Sequence, residues 1–275
     1  MKKTAKITSV LLLFISQCSE NSTAPSAAPT LPPLSTFLMD FSDFQGEDRL
    51  LKASPHQNWG WAALNIAFWN SVVVLNSVVP VAAFAEALNQ KPARQPDNSW
   101  VWSYGFEVAG SNYTAALTAR SEKDGIRWNM NISKQGGFSN YLWYTGWSNL
   151  PLTEGYWLLY SLPSDPAPLI GIDWHRQPGD STWDLRYTNV VPDGPENGSY
   201  IHMEVRQSNP YDAFYEIYRV SLDNLIRIEW DRDAGAGRVK DEMHYQDSDW
   251  HCWDNDLNDT SCPGAWSGRF GRRAS

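Results

Sequence analysis

The chain is poor in positive charge, in cysteine and in ready-made catalytic signatures. Against 31 Asp and Glu it sets only 22 Lys and Arg, a formal charge of −9 over 275 residues. No basic stripe runs along it, which argues against a nucleic-acid partner. Three cysteines are too few for a disulfide scaffold. Five scattered histidines give no zinc spacing. There is no phosphate-binding glycine loop and no nucleophile elbow. Aromatic residues are what the chain has in plenty: 15 Trp, 12 Tyr and 10 Phe. With 42% hydrophobic and 19% charged residues it can bury a core, so wholesale disorder is excluded.

Lys2, Lys3 and Lys6 precede an apolar run, Ile7 to Ile15, followed by Ser16, Gln17 and Cys18. A basic start, a short apolar run and a small-residue end describe a secretory signal, too short to span a bilayer. Ile15-Ser16-Gln17-Cys18 resembles the lipobox of bacterial lipoproteins, whose cysteine becomes the lipidated N-terminus. Ile15 and Ser16 fit that pattern; Gln17 stands where it carries Gly, Ala or Ser. The resemblance implies a signal peptide over 1–17, lipidation of Cys18, a membrane partner through that lipid, and a place in the bacterial cell envelope at the outer membrane. Residues 18–53 then read as a tether with a short ordered end. Ser19 to Ser35 is rich in Ser, Pro and Ala, and Phe37 to Phe44 reads as a short strand or turn. With Cys18 lipidated, Cys252 and Cys262 remain, and an oxidising compartment pairs them.

Residues 54–262 read as one domain and 263–275 as a disordered basic tail. Ser54, Pro55 and Gln57 form a helix start, and from Ala53 to Ala85 there is no charged residue. The pattern predicts a long helix, apolar almost all round and therefore buried, with Pro80 bending it. Asn58, Asn65 and Asn76 fall on one line and could accept from buried indoles. After Asp97 the period changes to two, with Trp128, Met130 and Ile132 alternating with Asn129 and Asn131. Turn signals such as Gln135-Gly136-Gly137 separate such runs. The expectation is a mainly β fold: an antiparallel up-and-down barrel or strongly curved sheet of about ten strands packed around the long N-terminal helix. That arrangement is similar to the half-barrels of periplasmic lipid-carrier proteins, a likeness of architecture only.

Candidate sites follow from residue type. Asp254, Asp256, Asn258 and Asp259 place oxygens close together, as a Ca²⁺ site requires, although the run departs from an EF-hand loop. Trp147, Trp250 and Trp253, beside predicted loops, are candidate rings for a glycan or apolar ligand. Asp173 with His175, and His202 with Glu204, share strand faces and would suit acid–base work if they lay in a pocket. The reading is a non-catalytic envelope protein binding an apolar or lipid-like ligand. The alternative is a calcium-stabilised carbohydrate-binding or structural surface module.

Overall fold

The computed structural model describes residues 27–44, 54, 57–177, 183–206, 208 and 210–262; Cys18 and the stretches 1–17 and 263–275 lie outside them. The protein is mainly β. Ten substantial strands follow one another: β2 (Trp100–Val108), β3 (Ser111–Ser121), β4 (Gly125–Lys134), β5 (Tyr141–Asn149), β6 (Glu154–Tyr160), β7 (Pro168–Arg176), β8 (Trp183–Asn189), β9 (Tyr200–Val205), β10 (Ala213–Arg219) and β11 (Asn224–Trp230). Short strands flank them: β1 (Ala93–Arg94) before, and β12 (Gly237–Lys240), β13 (His251–Trp253) and β14 (Asp259–Thr260) after. All fourteen form one sheet in sequence order, each antiparallel to the next.

Alternation decides the two faces. On β4, Ile126, Trp128, Met130 and Ile132 are buried while Arg127, Asn129 and Asn131 face outward. The inner face is paved with Trp157, Trp174, Tyr187, Tyr215 and Ile228. Across the outer face Asp173, Arg186, His202, Glu216 and Arg227 stand in one row of directly paired positions. Opposite charges facing each other in register favour this pairing over a slipped one.

The sheet does not close, so the barrel expectation is corrected to an open, curled sheet: β1 and β14 are its two edges. The expectation of one long, wholly buried helix is corrected too. The helical stretch α1 (Asn58–Ala87) consists of two arms, Asn58–Val73 and Ser77–Ala87, set at 69°. Pro80 lies inside it, and a proline ring clashes with the carbonyl four residues earlier, which is where the arms part. The arms pack on β2 and β3 near one edge and on β12 and β13 near the other. They therefore fill the seam that strand pairing leaves open, a usual way of covering exposed edges. Because α1 covers a seam, one side of it faces water: Leu64 and Val78 are exposed and Phe68 is 62% exposed. No single helix among the described residues is long and apolar enough to cross a membrane.

The segment before α1 is a strap, not a strand. Two 3₁₀ turns, Leu34–Thr36 and Ser42–Phe44, bracket an irregular stretch lying on the inner face, along which buried and exposed residues alternate. Phe37 stacks on Trp157 at 4.4 Å and meets Phe84 of α1 at 4.7 Å. Phe44 packs edge-on against Trp230 at 4.9 Å. The strap's backbone groups need partners in this dry setting, and the sheet supplies them. Tyr187 Oη accepts from Met39 N at 2.7 Å and donates to Phe37 O at 2.6 Å. Tyr215 Oη donates to Asp40 O, and Trp157 Nε1 to Thr36 Oγ1 at 3.1 Å.

Of the expected asparagine line, Asn58 and Asn65 do not serve the indoles, and the Asn76 side chain lies outside the described residues. Trp61, Trp128, Trp230 and Trp253 donate to Asp241, Ser148, Asp43 and the Gly235 carbonyl. Asn65 instead bonds the Trp61 carbonyl of its own helix. Asn58 bonds Cys252 O at 2.9 Å and accepts from Tyr245 Oη at 3.1 Å, tying the start of α1 to the last hairpin.

Candidate functional site

Between the strap and the inner face runs a cleft of about 280 Å³. The sheet contributes Leu185 of β8, Met203 and Val205 of β9, and Trp230 at the end of β11. Their side chains share the inner face because they occupy alternate positions on their strands. Leu185 and Met203 are direct cross-strand partners. The strap supplies the other wall through Ser35 and Leu38. Leu38 is 40% exposed although its neighbours Phe37 and Met39 are buried. The alternation of buried and exposed residues along the strap turns Leu38 to the opening.

Polar groups collect at the mouth. Arg232, just beyond β11, brings Nε to 3.3 Å from Asp43 Oδ2. Trp230 Nε1 donates to the same oxygen at 3.1 Å. Asp40 stands farther off, its Oδ2 4.0 Å from the Arg232 guanidinium. Hydrogen bonds from Ser42 hold the Asp40 carboxyl below the usual carboxylate range, against the opposing effect of burial and with help from Arg232. The cleft is thus an apolar trough with two carboxylates and one guanidinium at its opening, the pattern of a site that seats an apolar body and fixes one polar end. A second, smaller hollow of about 120 Å³ lies where Phe68 and Trp69 of α1 meet Leu169 and Ile170 of β7.

The residues singled out in the sequence lie elsewhere. Trp253 is 1% exposed, fills the space over Gly237 and donates to Gly235 O at 2.8 Å. Its ring belongs to the core and offers no face to a ligand, which corrects the expectation of an exposed loop aromatic. Trp250 is half-buried on the outside, with the Arg238 guanidinium 4.2 Å from its ring centre. Arg238 also lies over Tyr211 at 4.9 Å and bonds Glu229 at 2.7 Å. Trp147, half-buried on the outer face, lies over Gly125. The three rings do not come together in one site.

The acidic run closes the β13–β14 hairpin. Asp254 Oδ1 accepts from Asp256 N at 3.0 Å and Asn258 N at 2.9 Å. Asp259 Oδ1 accepts from Asn58 N at 2.8 Å, serving the start of α1. Among the described residues no three His, Cys, Asp or Glu side chains are grouped to hold a metal ion. Cys252 and Cys262 are joined in a disulfide across this hairpin. Asp184 on the outer face accepts from His202 Nε2 at 2.9 Å, with His175 Nδ1 at 3.9 Å. His202 and Glu204 border a shallow polar hollow there, beside Phe214 and Arg227.

Sequence reasoning missed the cleft because half of its wall is the strap, whose place is set by side chains more than a hundred residues away. The one available clue is the spacing of Phe37, Met39 and Phe41, three apolar residues at alternate positions after a stretch rich in Ser, Pro and Ala. Comparison of the chain with protein-family models, curated proteins and solved structures gives no match.

Proposed function

We propose that this is an exported, lipid-anchored, non-catalytic protein of the bacterial envelope that binds an apolar-chain ligand in the cleft between strap and sheet. The cleft carries the reading. Leu38 and Val205 present apolar surface to the trough, and the buried Leu185, Met203 and Trp230 form its floor. Burying such surface against a ligand chain contributes roughly 25 cal/mol per Å² before the cost of association. The N-terminal pattern of Lys2, Lys3, Lys6, the apolar run and Cys18 supports export and lipidation. The strap that walls the cleft then follows directly on the tether.

Native mass spectra of the full chain, extracted from an exporting bacterium in a detergent of known mass, test this. The expected result is an apolar adduct that leaves on denaturation. An adduct removed by EDTA instead would move the site to the Asp254–Asp259 hairpin. A bare mass under both conditions would leave a scaffold without a resident ligand.

A further inference from the structure

The mouth of the cleft holds Asp40, Asp43 and Arg232 in unequal roles. Arg232 is engaged by Asp43 at 3.3 Å, and that same carboxylate oxygen holds the Trp230 indole. An anionic head would have to draw Arg232 away from Asp43 while facing two carboxylates. A cationic head meets a different arrangement. Asp40 lies 4.0 Å from Arg232, beyond hydrogen-bond reach, with a side chain 58% exposed. Tyr215 holds its main-chain carbonyl and Ser42 N donates to its Oδ1 at 2.9 Å, and Oδ2 is the oxygen that faces Arg232. The mouth as a whole is one negative charge in excess, on a chain of formal charge −9.

We propose that the ligand of this cleft is a cationic amphiphile, an unbranched apolar chain ending in an ammonium group. The chain lies against Leu38, Leu185, Met203 and Trp230, and the ammonium sits on the Asp40 carboxylate. The inference rests on the reading that an apolar chain occupies the cleft, and adds its head group. Asp40 is partly solvated, so the selectivity it provides is modest and weakens with salt.

Titration calorimetry of the full chain with decylammonium, decanol and decanoate, each below its micelle concentration, tests it. Decylammonium is expected to bind tightest, about tenfold over decanoate at low ionic strength, the charge terms acting with opposite sign on the two. Asp40→Asn should weaken decylammonium about threefold and leave decanol unchanged. Leu38→Ala should weaken all three alike. Equal binding of the three, or tightest binding of decanoate, would overturn the head-group assignment while leaving the apolar cleft in place. Decylammonium affinity untouched by both Leu38→Ala and Asp40→Asn would also overturn it, since the cation would then be bound elsewhere on the acidic surface. Binding of none of the three would remove the cleft reading itself, and the head group with it.

Discussion

Gly146 on β5 lies directly opposite Trp157 on β6, and the indole occupies the space that a side chain at 146 would need. A Cβ built there would come within 2.7 Å of Trp157 Cζ3 and 2.6 Å of the Tyr156 carbonyl. The relation recurs. Gly155 faces Trp174 across β6 and β7, and Gly237 faces Trp253 across β12 and β13. Glycine lets a large ring lie flat on the neighbouring strand, and the ring covers backbone that glycine leaves bare. The tryptophan abundance thus serves the inner layer of a curled sheet.

Gly146→Ala is expected to destabilise by about 2 kcal/mol or more, as overpacking does in a closed core. Gly171→Ala is the control: its nearest neighbour would be Val190 Cγ1 at 3.5 Å, an ordinary contact. That variant should stay within about 0.5 kcal/mol of the parent. Urea unfolding of both reads the difference.

The same tyrosine-to-phenylalanine change should have two different outcomes on the inner face. Tyr187 Oη bridges two backbone groups of the strap, so Tyr187→Phe leaves a buried carbonyl and a buried amide unpaired. That costs about 1–3 kcal/mol and should speed hydrogen exchange at Met39. Tyr144 Oη is buried with no hydrogen-bond partner among the described residues. Tyr144→Phe removes an unmet group and should be neutral or stabilising.

Reducing the Cys252–Cys262 bond should lower stability by roughly 2–3 kcal/mol on the chain-entropy account of a short loop. The hairpin it closes holds Asn58 through Cys252 O and Asp259. Early loss of protection at the first turn of α1 is therefore expected under reducing conditions. Asp259→Ala should reproduce that local loss with the disulfide intact.

Acid should destabilise the outer face. Burial opposes ionisation of Asp184, but the His202 hydrogen bond and the nearby His202, His175 and Arg206 charges outweigh it and lower its pKa. A depressed folded-state value means that the stabilisation is present above the unfolded carboxylate pKa, about 3.9. It is lost as pH falls through the lower, folded value. Asp184→Asn should flatten the acid limb of a stability–pH curve.

The strands were legible where they were long. Every period-two run from Trp100 to Trp230 corresponds to one of β2 to β11, because five or more alternating residues suffice to mark a strand. On β6, however, the pattern of Tyr156, Leu158 and Tyr160 points to the wrong face, Trp157 and Leu159 being the buried residues. The four others are two to four residues long, too short for alternation to show. In α1 the charge-free run marked a helix, yet composition could not reveal the bend or the exposure of Phe68, because a seam helix and a core helix can both lack charge. Trp253 read as a loop aromatic because β13 is three residues long. The strap was hidden because its order comes from Tyr187, Tyr215 and Trp157, each more than a hundred residues away. The cleft was hidden with it.

The central claim is that an apolar chain lies between Leu38 and Met203, and methyl NMR tests it most directly. The chain has five methionines, of which Met203 lines the cleft, Met130 is sealed in the core and Met243 is 46% exposed. With methyl-labelled methionine and added decanol, the account predicts a saturable shift of Met203, with Met130 and Met243 unmoved. A Met203 signal that stays in place, or shifts shared equally by Met243, would contradict it.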